Sequence, residues 1–211
     1  MLKINKASED IAHFNSWAKS KKLREWKELA SKQSVYFYVY EELRDYIEII
    51  EQDGLSPYTE KPLGSKIHID HFKKRNLYPD LTFDYANLLV DDLDDNYGAC
   101  HKDNHSSVNS ASFDGVTRIF CPTTENMADF VEYTFEGMIV SKIGLDSITA
   151  KRVNETIRIF NLNHSVLKKR RADIIRFIKD YQTSGLSDNE IRESMRLSGF
   201  PTLVNWVLTK T

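Results

Sequence analysis

A short alternating segment, Ile67-His68-Ile69-Asp70-His71-Phe72, places the strongest constraint on how this chain can fold. Apolar and polar residues alternate in it with the two-residue period of a strand. The alternation predicts a short β-strand that ends on an acid and a histidine, Asp70 and His71. Because neighbouring residues of a strand point to opposite sides, these two side chains are predicted to have different surroundings.

The polar groups that phosphodiester hydrolysis requires follow this segment in order. Such a site needs a neutral imidazole as base, a group that orients it, and oxygen or nitrogen ligands for a divalent ion. His71 is the candidate base, Asn87 the candidate orienting amide and Asp70 the candidate ligand for Mg²⁺ or Mn²⁺. Three residues compete to complete the metal site: His101, Asn104 and His105.

Each of these features also has an ordinary structural interpretation. An isolated Asp-His pair is usually polar surface, and His68 fits a structural or substrate-edge role better than that of the base. Cys100 is by default a packed thiol. The acidic run from Asp91 to Asp95 is most often a solvated loop. Several candidate roles in order within one window nevertheless favour a functional site.

Two segments carry a resemblance to a known family: Ile69-Asp70-His71-Phe72, and Tyr78 to Tyr85 leading into Asn87-Leu88. Further likeness lies in Met1 to Ile4 and in Ile157 to His164, followed by Leu167 and Arg170-Arg171. On these residues the chain resembles the HNH endonuclease subunit of Septu and retron-associated anti-phage systems, the PtuB-like family. The resemblance implies a ββα-metal nuclease motif and a metal-dependent endonuclease that cuts phage DNA or tRNA.

The resemblance also implies partners. The family acts as an effector beside an ABC-type ATPase (PtuA-like), in some systems under a retron reverse transcriptase with its RNA–DNA product. Since the chain has no Walker motif, ATP hydrolysis is expected of a partner. The alternative is a catalytically degenerate HNH-like adaptor that binds the ATPase and nucleic acid without cleaving.

One departure from the family concerns structural zinc. Many relatives carry two CxxC-like knuckles, whereas this chain has Ser56-Pro57-Tyr58-Thr59 at the first place, and Asp91-Asp92 and Asp103-Asn104 at the second. Hydroxyls and scattered carboxylates make a poor zinc site. We therefore expect no structural zinc, and a knuckle held by packing.

Charge and composition narrow the remaining possibilities. The 29 Lys and Arg nearly balance the 31 Asp and Glu, so nucleic-acid binding has to come from local patches. Two basic clusters are the candidates: Lys73, Lys74 and Arg75, and Lys168, Lys169, Arg170 and Arg171. Two cysteines, with no signal peptide and no apolar run of transmembrane length, predict a cytoplasmic protein that does not enter a membrane.

The overall pattern predicts an α+β, mostly helical fold, with the ββα-metal motif embedded between N-terminal and C-terminal helices and a small additional β-hairpin. The predicted regions are an N-terminal helical region (1–53), the HNH motif (54–125), a β-hairpin with basic helices that complete the core (126–183) and a C-terminal helical hairpin (184–211). Two short helices are expected within 8–33, where Trp17 and Trp26 cover the core or dock a partner protein. A long helix is expected from about 35 to 52, with one apolar stripe facing the core: Tyr36, Tyr40, Leu43, Ile47 and Ile50.

Overall fold

The computed structural model describes residues 1–210 and has the predicted α+β fold, about half helical, with two small antiparallel strand pairs. Its α-helices are α1 (Ser8–Ser20), α2 (Lys27–Ala30), α3 (Phe37–Tyr46), α4 (Gly98–Asn104), α5 (Ala111–Asp114), α6 (Ser147–Ile159), α7 (Ser165–Thr183), α8 (Asp188–Met195) and α9 (Pro201–Thr209). The strands are β1 (Ile67–His71), β2 (Leu88–Asp92), β3 (Val131–Tyr133) and β4 (Ile139–Ser141). Short 3-10 turns occupy Pro79–Leu81, Tyr85–Asn87, Met127–Phe130 and Arg196–Ser198. From residue 1 to residue 210, no helix combines the length and apolar character needed to cross a membrane.

Strand β1 pairs antiparallel with β2, with Asp70 opposite Leu89 and His71 opposite Leu88. Directly opposed residues share a face of a sheet. One face therefore carries His68, Asp70, Leu89 and Asp91, while the other is mainly apolar. Helix α4 follows β2 and packs against it.

The apolar face of this strand pair is covered by the N-terminal helices. Ile69, Leu88 and Val90 pack in one cluster with Leu43 and Ile47. The same cluster also contains Phe14, Trp26 and Leu29. Trp26 is buried against the strand pair, with 8% of its surface exposed, in line with the interpretation that it covers the core.

The predicted long helix changes its geometry before it ends. After α3 it continues as a π-helical turn over Ile47–Glu51. Leu43 and Ile47 are buried, as the stripe predicts, but Ile50 is 65% exposed, so its predicted burial is wrong. A π-helical turn holds more residues than an α-helical turn, so residues within it, such as Ile50, rotate away from a stripe set by the 3.6-residue period.

The opposite side of β1 and β2 contacts the larger core, which the C-terminal helices build. Tyr58 and Phe160 stack there with ring centroids 4.2 Å apart and an interplanar angle of 19°. Val153, Leu167 and Val207 are buried in the same cluster. Tyr58 thereby links the residues before β1 to the end of α6.

The predicted β-hairpin is confirmed, and one buried arginine holds it to α7. Arg171 is fully buried, and its Nε donates to the Gly137 carbonyl at 2.6 Å while Nη2 donates to the Leu162 carbonyl at 2.7 Å. Gly137 has φ +81°, and a Cβ there would lie 2.2 Å from the Lys168 carbonyl oxygen. Glycine is required because the turn approaches the α7 backbone closely.

Candidate active site

Asp70 and His71 point to opposite sides of β1, as the sequence predicts. Asp70 faces α4, where the Lys102 ammonium and the Tyr58 hydroxyl donate to its carboxylate. His71 faces the N-terminal helices, where its ring meets the Trp26 indole edge to face at 4.5 Å between centroids. The two side chains therefore belong to separate polar environments on either side of one strand.

The imidazole of His71 is held in one orientation by a backbone carbonyl. Its Nε2 lies 2.9 Å from the Thr82 carbonyl oxygen, and because a carbonyl only accepts, Nε2 carries the proton. Nδ1 then keeps a free lone pair. His71 is 5% exposed, and this burial lowers its pKa to about 4, although the Thr82 carbonyl acts in the opposite direction. The ring is therefore neutral at physiological pH.

Asn87, the candidate orienting amide, does not hydrogen-bond to the imidazole and acts on its surroundings through the backbone. Its Oδ1 accepts from the Lys73 backbone N–H at 2.8 Å, and its Nδ2 donates to the carbonyls of Lys73 and Leu81 at 3.1 and 3.3 Å. Leu81 precedes Thr82 in the chain. The amide thus fixes the loop whose next carbonyl holds His71.

Replacing Asn87 with alanine should lower the free energy of unfolding by about 2–3 kcal/mol, because two partly buried carbonyls and one N–H lose their partner. The imidazole should also lose its fixed orientation. Urea denaturation measures the first effect, and the NMR signal of the His71 Nε2–H measures the second. Asn189→Ala, on an exposed position of α8, is the matched control and should change neither. A stable Asn87→Ala variant with an unchanged imidazole signal would contradict this role.

Asp70 does not lie in the surroundings expected of a metal ligand. The Lys102 Nζ lies 2.9 and 3.0 Å from its two carboxylate oxygens, and the carboxylate is fully buried. Burial alone would raise the pKa of Asp70, but the Lys102 charge, helped by His68 and Tyr58, holds it below its ordinary value. An ammonium thus lies where the sequence predicts a divalent ion, and the side chains as arranged do not fit that ion.

The three candidate ligands on and beside α4 are engaged elsewhere. His101 Nδ1 donates to the Ile159 carbonyl at 2.8 Å, and His105 Nε2 accepts from Arg158 at 2.9 Å. Asn104 donates to Asp95 at 3.2 Å. The two histidine rings do lie together, with centroids 5.4 Å apart, but against α6. Across residues 1–210, no group of three or more His, Cys, Asp or Glu side chains is arranged to hold a metal ion.

The acidic run after β2 is only partly the solvated loop that its composition suggests. Asp91 and Asp92 are buried, whereas Asp95 is exposed. The Asp91 carboxylate accepts from the Ala99 N–H at 2.7 Å and from the Ser56 hydroxyl. Burial raises its pKa to about 7 despite these two hydrogen bonds. Ser56 and Asp91 are therefore joined by a hydrogen bond.

The basic cluster after β1 is divided among three environments. Lys73 pairs with Asp114 at 2.6 Å, and Lys74 donates to the Asp103 carbonyl at 2.6 Å. Arg75 is exposed and lines a groove of about 380 Å³. The groove is lined by Arg24, Glu25, Trp26, Lys27, Arg75, Asn76 and Thr82. Trp26 and Thr82, which line this groove, both contact His71.

The basic cluster of α7 is smaller than the sequence predicts. Lys169 and Arg170 are exposed and Lys168 is half-buried, so these three remain candidates for contact with nucleic acid. Arg171 is fully buried and donates to backbone carbonyls, so its predicted role in nucleic-acid binding is wrong. The sequence could not separate it from its neighbours, because a buried arginine and a surface arginine look alike in a basic run.

Three groups of the site were not anticipated from the sequence: the Lys102 ammonium, the Tyr58 hydroxyl and the Thr82 carbonyl. A weak signal exists for Lys102. It lies three residues after Ala99 and therefore shares a helical face with an apolar residue. No signal marks a backbone carbonyl such as that of Thr82. The contacts of all three are set by the tertiary fold.

Compared with models of known protein families, the chain matches none, and no curated protein sequence matches it significantly. The candidate site therefore stands on its geometry. That geometry is a neutral, oriented histidine at the end of a strand, with an ammonium beside the neighbouring carboxylate.

Proposed function

We propose that the chain is an HNH-type endonuclease that hydrolyses phosphodiesters of nucleic acid, with His71 as the general base. The observation that carries the proposal is the neutral imidazole whose Nε2–H is held by the Thr82 carbonyl at 2.9 Å. That tautomer leaves Nδ1 free to take a proton from an attacking water. Because the pKa of His71 is about 4, the base form persists at neutral pH and is lost only as the pH falls towards 4.

The groove next to His71 has the positive charge expected of a site that binds a polyanionic substrate. Arg24, Lys27 and Arg75 bring three cations to its walls, against one carboxylate from Glu25. Cations so placed contact phosphates without reading sequence. Since His71 is 5% exposed and does not line the groove, cleavage requires a neighbouring side chain such as Trp26 to move aside when a nucleic-acid strand enters. No catalytic step is assigned to a divalent ion, because the Lys102 ammonium lies beside Asp70.

The biological setting that we propose comes from the resemblance to PtuB-like proteins. In it, the chain is the effector of a bacterial anti-phage complex in the cytoplasm, acting on phage DNA or tRNA. An ABC-type ATPase is the proposed partner, with a retron reverse transcriptase and its RNA–DNA product in some systems. Lys169 and Arg170, exposed on α7, are candidates for further phosphate contacts.

The second candidate function is an HNH-like adaptor that binds the ATPase and nucleic acid without cleaving. Two observations favour it. The ammonium of Lys102 lies where the resemblance places the metal ion, and His71 is buried beneath Trp26. An adaptor would keep the basic groove while having no use for a free Nδ1.

Digestion assays separate the two functions. Duplex DNA, single-stranded DNA and tRNA are incubated with the wild-type chain and the ATPase, in Mg²⁺, in Mn²⁺ or in EDTA. For a nuclease, His71→Ala should lower the cleavage rate by a factor of about 100 or more, since the general base is removed. His13→Ala, on an exposed position of α1, is the matched control and should cleave like the wild type.

Complex formation with the ATPase is measured in parallel by size-exclusion chromatography. The nuclease proposal expects the His71→Ala complex to form normally. A wild-type complex that forms normally but cleaves none of the three substrates under any of the three conditions would overturn the nuclease proposal and favour the adaptor.

A further inference from the structure

The Lys102 ammonium is surrounded by five oxygen atoms in the interior of the protein. Besides the two Asp70 oxygens at 2.9 and 3.0 Å, Nζ lies 2.6 Å from the His71 carbonyl and 3.2 Å from the Phe72 carbonyl. The fifth oxygen is Asp103 Oδ1, at 3.2 Å. The Lys102 side chain is fully buried, so it is held by these contacts and not by solvent.

Helix α4 positions the Lys102 ammonium beside Asp70. The helix begins at Gly98, where a Cβ would lie 2.4 Å from Asp91 Oδ2 and where φ is +74°. The next residue, Ala99, donates its N–H to the same carboxylate. This anchors the first turn against β2, and Lys102, three residues further on, reaches across to Asp70.

The oxygens around Lys102 Nζ are the kinds that hard divalent cations use. Carboxylates and backbone carbonyls are the usual ligands of Mg²⁺, Mn²⁺ and Ca²⁺. Lysine carries a compact point charge with three donors and no acceptor, so it satisfies several such oxygens at once. A buried carboxylate such as that of Asp70 needs a cation beside it, whichever cation that is.

We propose that Lys102 is the resident cation of this site and takes the place of a divalent ion among Asp70, Asp103 and the carbonyls of His71 and Phe72. The wild-type chain therefore binds no divalent ion at Asp70. Removing the ammonium converts the same oxygens into a site for Mg²⁺ or Mn²⁺. The proposal concerns the charge that balances Asp70, and it holds whether or not the chain cleaves nucleic acid.

Binding of Mn²⁺ to the full chain tests the proposal, with electron paramagnetic resonance reporting free Mn²⁺. The wild type and the control Lys73→Ser, which removes a half-buried lysine paired with Asp114, should bind Mn²⁺ equally weakly. Lys102→Ser should gain one site at least about tenfold tighter, because a carboxylate and carbonyls are freed together. The double variant Asp70→Asn, Lys102→Ser should lose that gain.

Thermal unfolding keeps the test decisive if Lys102→Ser folds poorly without metal. Saturating Mn²⁺ should raise its Tm by about 5 °C or more, and should leave the wild-type Tm unchanged. Two results would overturn the proposal. One is a wild-type chain that binds one Mn²⁺ tightly and loses it in Asp70→Asn. The other is a Lys102→Ser chain that neither binds Mn²⁺ nor is stabilised by it.

Discussion

Replacing Phe160 with alanine is expected to lower the free energy of unfolding by about 3–5 kcal/mol, because a fully buried aromatic ring is removed from a packed core. The ring stacks on Tyr58 with 4.2 Å between centroids. The Tyr58 hydroxyl in turn donates to Asp70. The expected loss therefore includes the packing of Phe160 itself and its contact with Tyr58, which donates a hydrogen bond to the buried Asp70 carboxylate.

Urea denaturation of the Phe160→Ala chain measures this loss through its midpoint, at an unchanged dependence on urea concentration. Phe177→Ala is the matched control, because Phe177 lies on α7 with 46% of its surface exposed. We expect the control to lose less than about 1 kcal/mol. Equal losses in the two variants would mean that the stacked pair does not organise the core as described.

Replacing Asp91 with asparagine should change how stability depends on pH. The folded pKa of Asp91 is about 7, against about 3.9 in an unfolded chain. Between pH 4 and pH 7, Asp91 is protonated in the folded chain and ionised in the unfolded chain. The stabilising effect of the protonated group is therefore fully present below pH 4 and is lost as the pH rises through 7. Asparagine resembles the protonated acid in shape and has no such dependence.

From pH 4 to pH 7, the wild type should therefore lose up to about 4 kcal/mol of unfolding free energy relative to the Asp91→Asn variant. Subtracting the wild type removes the dependence due to other groups, including His71. The charges of Asp70 and Asp92 both favour the neutral form of Asp91.

Urea denaturation at half-unit steps of pH gives this difference directly. Asp95→Asn, an exposed position of the same acidic run, is the matched control. A constant difference for Asp91→Asn would show that the buried carboxyl ionises as easily as an exposed one.

Local pattern was sufficient to predict several elements of this fold. The alternation around Ile69 gave the strand that ends at His71, and the spacing of Leu43 and Ile47 gave the buried face of α3. The hairpin turn near Gly137 was also predictable. In each case, the information lies within a few neighbouring residues, because strand and helix periods set which side chains share a face.

The parts that the sequence did not predict depend on pairs of residues far apart in the chain. Lys102 meets Asp70 across 32 residues, and Arg171 meets Gly137 across 34. Whether a charged side chain is buried with a partner or left in water is decided by the tertiary fold, not by its neighbours. The same reason explains why His101 and His105 share a face, as predicted, and yet meet α6 instead of Asp70.

The π-helical turn at Ile47–Glu51 has a practical consequence for handling this protein. It leaves Ile49 and Ile50 facing water on the outside of the N-terminal helices. Neither side chain contributes to the interior, so glutamate or lysine at these two positions can reduce self-association of the protein at high concentration without disturbing the fold. Any effort to crystallise or concentrate the chain can begin there.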